Sequence, residues 1–315
     1  MSTYFIGYST DGNIRYNSAS GGVGSTIIKY LLDRKEFGTS MTFVFNKRTC
    51  QYEPRLIYDY ADYNNCGSIY QDTDTVSFIR ENLQNIRNGI ILTCMPCQVR
   101  VLRHILDQNN IKSFIISLCC SGQTSIQGTW LYYSMLGIRK EDVDFIQYRG
   151  NGWPSGIQIR LNNGEVIKKD NYTYPWKLIH QSLLFRPKRC LSCTIKTSPY
   201  ADVSLADPWL KEYIENDRIG NSVVICNETG EGLIRQMIQD QELSLKEVEE
   251  STYVSSQLGT IQEKARANRN KAFNKIVERM GAEKSIYKKL VIKSPLSLKL
   301  HLRLIRFLRR YMAKS

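Results

Sequence analysis

Thiols act together only when a fold brings them together, and this chain spreads its thiols over separate segments. Two Cys-x-x-Cys pairs, Cys94-Met95-Pro96-Cys97 and Cys190-Leu191-Ser192-Cys193, bracket a Cys119-Cys120 doublet. The full set of nine cysteines is odd in number and clustered, which fits a secreted disulfide framework poorly and points to ligand or redox chemistry in a reducing compartment. Any such chemistry requires a fold that gathers these segments.

The hydrophobic pattern supplies one. Gly89-Ile90-Ile91-Leu92-Thr93 and Phe114 to Leu118 read as buried strands, and Met41 to Phe45 as another. Helical spacing is predicted over Thr26–Asp33, Val76–Leu83, Cys97–Leu106 and about Ser125–Leu136. This alternation predicts βαβ units, with Cys94–Cys97 at the carboxyl end of one strand and Cys119-Cys120 at the end of the next. Neighbouring parallel strands deliver such ends to one edge, where open α/β sheets bind ligands.

After residue 150 the pattern changes. Gly156–Leu161 and Glu165–Lys168 flank an Asn162-Asn163-Gly164 turn and read as a β-hairpin. A helix over Trp176–Leu184, strands at Val203–Leu205 and Val223–Cys226, and a helix over Gly232–Gln239 follow. The expected architecture is α/β: a mixed, largely parallel sheet with flanking helices, an inserted β-hairpin region and a basic helical C-terminal tail. Its expected organisation is one α/β domain over residues 1–255, the part to which the family resemblance given below applies, and a basic amphipathic helical tail over 256–315.

Three chemistries suit the thiols. Four thiolates can hold structural zinc or an iron–sulfur cluster. Cys94-Met95-Pro96-Cys97, between strand and helix, also matches a thioredoxin-type dithiol. Spacing leaves all three open. The small-residue loop Ser18 to Ser25 opens a helix and suits either a phosphate contact through backbone N–H groups or a plain tight turn. Trp153 and Trp209 stand beside turns and read first as plugs at a domain edge. His104, His180 and His301 share no ligand spacing and read as structural.

Charge separates the chain into two parts. Residues 257–315 hold 16 Lys/Arg and 3 Asp/Glu, so the whole formal charge of +13 lies there and the first 256 residues sum to zero. Helical spacing from Lys299 puts Arg303, Arg306 and Arg310 on one stripe with Leu300, Leu304, Phe307 and Tyr311 beside it. The apolar stripe favours an anionic membrane surface or a protein partner, and no nucleic acid is expected, because nucleic-acid binding needs no apolar face. No apolar run reaches the roughly 18 residues of a membrane span, and the N-terminus lacks signal-peptide regions. The expected location is cytoplasmic, peripheral at the inner face of the membrane.

With these motifs in order, the chain resembles the coenzyme F420 hydrogenase/dehydrogenase beta-subunit family, which also includes the plant reductase acting on hydroxymethyl chlorophyll a. The resemblance rests on Ser18 to Val23, Thr93 to Gln98, Cys120-Ser121-Gly122, Arg149 to Trp153, and Cys190 to Cys193 with Asp202 to Trp209. Where the family has Gly-Asp-x-Trp and Cys-His-Gly, this chain has Ala206-Asp207-Pro208-Trp209 and Cys120-Ser121-Gly122. These departures bear on the second substrate.

The resemblance implies FAD, a [4Fe–4S] cluster, and electron transfer between a ferredoxin-like or deazaflavin F420 carrier and an organic acceptor. Carried over by position, it makes Cys97, Cys120, Cys190 and Cys193 the cluster ligands. Ser18, Ser20, Gly21, Gly22, Val23, Ser25, Pro96, Gln98, Trp153 and Asp207 become the flavin contacts, and no catalytic residue is assigned. Many relatives begin with a ferredoxin domain, whereas this chain starts at Tyr4-Phe5-Ile6-Gly7-Tyr8, so a separate carrier is expected. The short front and basic back resemble members associated with surface-polysaccharide biosynthesis. The alternative reading is a non-catalytic, zinc-stabilised scaffold in a membrane-associated assembly.

Overall fold

Runs such as Ile90-Ile91-Leu92 and Ile115-Ile116 are apolar on successive residues, the pattern of strands covered on both faces, and all five side chains are fully buried. They form the centre of the structure, a computed structural model that describes residues 2–170, 173–216 and 220–312. The chain opens with β1 (Thr3–Ser9), α1 (Gly12–Asn17) and α2 (Val23–Asp33), then β2 (Thr39–Asn46), β3 (Gln51–Ile57) and α3 (Thr75–Glu81). Next come β4 (Ile90–Cys94), α4 (Pro96–Gln108), β5 (Ser113–Leu118) and α5 (Ile126–Met135). The middle holds β6 (Val143–Gln147), β7 (Gly156–Leu161), β8 (Val166–Asp170), α6 (Trp176–Gln181) and α7 (Lys188–Leu191). The chain re-enters the sheet with β9 (Val203–Ala206), α8 (Lys211–Asn216), β10 (Ser222–Cys226), α9 (Glu228–Gln239) and β11 (Leu243–Val248). A short α10 (Glu250–Ser256) leads into the tail, which forms α11 (Leu258–Arg269), α12 (Lys271–Gly281), α13 (Ile286–Val291) and α14 (Pro295–Met312).

The main sheet has the order β11-β1-β10-β9-β5-β4-β2-β3. Its central strands β9, β5, β4 and β2 pair in parallel, and the flanking strands on both sides pair antiparallel. The expected mixed α/β sheet is therefore present, with parallel pairing concentrated where the βαβ units lie. Strands β6, β7 and β8 make a separate antiparallel sheet around the expected hairpin.

Several boundaries shift for local reasons. Helix α9 starts at Glu228 rather than Gly232, because the Asn227 side chain accepts the Gly230 N–H and caps it there. Helix α6 stops at Gln181 instead of Leu184: Leu183 has φ +62°, a left-handed conformation that ends the helix. Strands β1, β3, β6 and β11 are additional to the elements expected from the sequence.

The tail is helical as expected, and its inner face belongs to the fold. Leu298, His301, Leu302 and Ile305 of α14 are buried. Ile305 packs with Phe273 and Val277 of α12, with Leu183 just after α6 and with Leu191 of α7. The His301 ring bonds the Ser182 carbonyl at 2.8 Å through Nε2 and the Tyr287 hydroxyl at 2.9 Å through Nδ1.

Gly21 shows how the loop before α2 is wedged into the sheet. A Cβ placed there would lie 2.6 Å from the Gly7 carbonyl oxygen and 2.7 Å from the Ser222 nitrogen, both backbone atoms. We expect Gly21→Ala to destabilise the protein by roughly 2–4 kcal/mol, since neither neighbour can move without opening β1–β10. Equilibrium urea unfolding of the two proteins checks this.

Candidate active site

Helix α2 begins at Val23 behind Gly22, which takes the N-cap in a left-handed conformation, φ +80°, and has no side chain with which to bond the first-turn N–H groups. Those donors face a cleft of ≈ 320 Å³ at the carboxyl ends of the parallel strands. The cleft is walled by the Ser18–Ser25 loop, the ends of β4, β5 and β9, and the segment from Tyr63 to Gln71.

Of the residues expected here, Ser18, Ser20, Gly22, Val23, Ser25, Gln98 and Asp207 line the cleft. Gln98 also accepts the Met95 N–H at 3.0 Å and so fixes the start of α4. Gly21, Pro96 and Trp153 stand behind the wall. Gly21 is closed off by backbone, Pro96 is buried in the first turn of α4, and Trp153 is only 3% exposed. The Trp153 indole N–H reaches Asp207 Oδ1 at 3.3 Å and its ring lies 5.3 Å from that of Trp209, which does line the cleft.

Arg149 clamps Asp207 with two bonds, Nη1 to Oδ2 at 2.7 Å and Nη2 to Oδ1 at 2.9 Å. This bidentate pair ties the turn after β6 to the end of β9, and planar fork geometry makes arginine the suitable residue. Arg149 lies in a legible motif, but only the fold shows that it holds the aspartate of a later one. His180 reads as structural in the sequence, yet it lines the cleft, with Nδ1 2.9 Å from the Thr124 hydroxyl. Burial, with a smaller effect of Arg186, lowers its pKa from 6.5 to about 4, so the ring is neutral at pH 7. The Tyr63–Gln71 segment, Gln257 and Thr260 also line the cleft and carry no motif at all.

The thiols converge next door. Cys97 sits in the first turn of α4, Cys120 just after β5, Cys190 in α7, and Cys193 in the loop that follows. Burial raises the Cys97 pKa, and the charges of Cys193 and Cys190 raise it further. Burial likewise raises that of Cys120, opposed by Lys264 and reinforced by Cys190 and Cys97. The four expected ligands thus feel one another, although among the described residues no three His, Cys, Asp or Glu side chains form a group that could hold a metal ion. Cys94, Cys119, Cys66 and Cys226 are pushed by burial up to about 12 and stay protonated. All nine cysteines are free thiols.

A small pocket of ≈ 40 Å³ joins Cys190 and Cys193 to Arg186, Glu263, Lys264 and Arg309. Its guanidiniums are held in place. Arg186 Nη1 donates to the Ser121 carbonyl at 3.2 Å and lies 3.8 Å from Glu263, which accepts two bonds from Arg309 at 2.8 and 2.9 Å. Gly122, at φ +136°, lets the guanidinium come this close: a Cβ there would be 2.6 Å from Arg186 Nη1. Ser121 lines both this pocket and the large cleft.

A sequence model describing the C-terminal region of the coenzyme F420 hydrogenase/dehydrogenase beta-subunit family matches residues 87–251, just over half of the 315. The chain belongs to this family. The match takes in every motif named above except the Ser18–Val23 loop, and membership carries an electron-transfer, oxidoreductase-related role. The fold agrees with the solved structure of the xenon-derivatised F420-reducing [NiFe] hydrogenase complex from Methanosarcina barkeri. One chain of that complex matches with a TM-score of 0.63 and 16% identity, over 86% of this chain and 92% of that one. A comparison with functionally curated proteins returned no match.

His180 gives the site a pH signature. A ring whose pKa falls on folding contributes stability that is complete above pH 6.5 and is lost as pH drops toward about 4. The contribution is at most about 3 kcal/mol. His180→Gln, which cannot titrate, should flatten that part of the profile, measured as the difference in urea midpoint between the two ends of this range.

Proposed function

We propose that this protein is an iron–sulfur flavoprotein oxidoreductase, with FAD in the large cleft and a [4Fe–4S] cluster on Cys97, Cys120, Cys190 and Cys193. The observation that carries this reading is the shared wall. Ser121 lines both the large cleft and the pocket that holds Cys190 and Cys193, and its neighbour Cys120 lines the cleft, so a flavin in the cleft and a cluster on the cysteines would be separated by one stretch of backbone.

The residues around the cleft suit a flavin, and the four cysteines are the ligand type that a cluster takes. The open first turn of α2, with Ser18, Ser20 and Ser25 around it, offers backbone N–H and hydroxyl groups to a pyrophosphate. Gln98 and Trp209 offer a polar edge and an aromatic face to a flat ring system. A tetrahedral zinc with Zn–S near 2.3 Å draws its sulfurs within about 4 Å of one another. A four-iron cluster takes the same four thiolates, and the resemblance to the family favours it over zinc. When bound, the flavin supplies two-electron hydride chemistry and the cluster supplies single-electron transfer.

The chain's own residues then have defined tasks. Arg149 holds Asp207 at the cleft wall, neutral His180 and Thr124 form a polar patch there, and Lys264 and Arg186 offset the negative charge of four thiolates. The external carrier is a ferredoxin-like protein or coenzyme F420, the latter supported by the family description. The organic acceptor is assigned, by resemblance alone, to surface-polysaccharide biosynthesis.

Protein purified without oxygen should show a flavin band and a broad cluster absorption that bleaches on reduction, with about four irons per chain. Cys193→Ser should lose the iron while its circular dichroism stays unchanged. A colourless protein carrying one zinc per chain would overturn the reading. Lys264, only 4% exposed, sets a second test. Lys264→Gln should lower the cluster's midpoint potential by on the order of tens of millivolts, because removing a buried cation disfavours the more negative reduced state. A redox titration followed by electron paramagnetic resonance measures it.

A further inference from the structure

From Lys284 to Ser315 the sequence has ten Lys/Arg and no Asp/Glu. Helix α14 lies within this stretch, and at 18 residues it is about 27 Å long. Only one of its faces is used by the fold, the one carrying Leu298, His301, Leu302 and Ile305. A second face carries Leu296, Leu300, Leu304, Phe307 and Tyr311, exposed by 66%, 54%, 37%, 63% and 70%. Their spacing keeps them within a stripe about 80° wide. Lys299, Arg303, Arg306 and Arg310, all exposed, run along one edge of that stripe. Single exposed apolar residues are ordinary, but five in a row on one helix are not.

We propose that α14 docks this protein on an anionic lipid bilayer. The helix lies in the plane of the interface, with the Leu/Phe/Tyr stripe at the headgroup–acyl boundary and the Lys/Arg edge on the lipid phosphates. Charge selects this occupant. A second copy meeting the first across the same stripe would set cation against cation, with no acidic residue in the stretch to relieve it. Nucleic acid would use the arginines and leave the leucines in water. Among the described residues no helix is long and apolar enough to cross a membrane, so the contact is with the surface.

The inner side of the same helix reaches the thiol pocket. Arg309 of α14 holds Glu263, which lies beside Arg186, and Arg186 bonds the Ser121 carbonyl between the two pockets. Docking through the outer stripe would therefore leave this chain of contacts intact and hold the thiol pocket close to the lipid surface.

The test is co-sedimentation of the full-length protein with vesicles of phosphatidylcholine alone and with about 30% phosphatidylglycerol. Binding to the anionic vesicles only, weakened as salt rises from about 0.05 to about 0.5 M, is the expected result. Leu300→Glu/Phe307→Glu and Arg303→Gln/Arg306→Gln/Arg310→Gln should each bind at least about tenfold more weakly. Both variants change exposed side chains, so their melting curves should match the wild type. Four outcomes would overturn the proposal: no binding to anionic vesicles, equal binding to neutral ones, variants that bind like the wild type, or a dimer in sedimentation velocity that the Glu variant abolishes. The result does not depend on any cofactor, so it stands or falls apart from the redox reading.

Discussion

The parallel pairing of β4 with β5, which sets Cys94 opposite Ser117, is the constraint on which the rest depends. Both strands are buried on both faces, so water cannot replace the hydrogen bonds of their ladder and the pairing is held. With the register held, the two strands end at the same edge. Cys97 then enters α4 and Cys120 leaves β5 on one side of the sheet. β9 continues the parallel block next to β5 and brings Asp207 to that edge.

The opposite side of the site is built from elements that arrive later in the chain. Arg149 comes from the turn after β6, Cys190 and Cys193 from a short helix and loop, and Glu263, Lys264 and Arg309 from the basic tail. The tail is thus part of the site as well as an outer surface. The tail sets Lys264 beside Cys120, and Glu263 lies between the guanidiniums of Arg186 and Arg309 and offsets their mutual repulsion.

Much of this was legible in the sequence. Continuous apolar runs marked β4 and β5, 3.6-residue spacing marked α2 and α4, and the turn at Asn162-Asn163-Gly164 marked β7 and β8. Seven of the ten expected flavin contacts line the cleft, five of them in the loop before α2 and its first turn, with Gln98 in α4 and Asp207 after β9. The other three stand behind the wall for packing reasons: Gly21 is small to let backbone pass, Pro96 pre-sets the first turn of α4, and Trp153 fills space behind Asp207. Nothing in the local sequence separates a glycine that admits a ligand from one that admits a neighbouring strand.

What the sequence determined alone is everything governed by short-range order: the alternation of strands and helices, the ends at which the cysteines fall, the amphipathic stripe of α14 and the concentration of charge in the tail. These follow from periodicity and composition, which need no partner. The tertiary structure decided which distant groups meet: Arg149 with Asp207, Lys264 with Cys120, Arg186 under Gly122, and Ser121 between two pockets. Such meetings depend on strand order and on the angle at which helices return to the sheet. Those are set by the burial of the whole core at once, and no window of sequence contains them.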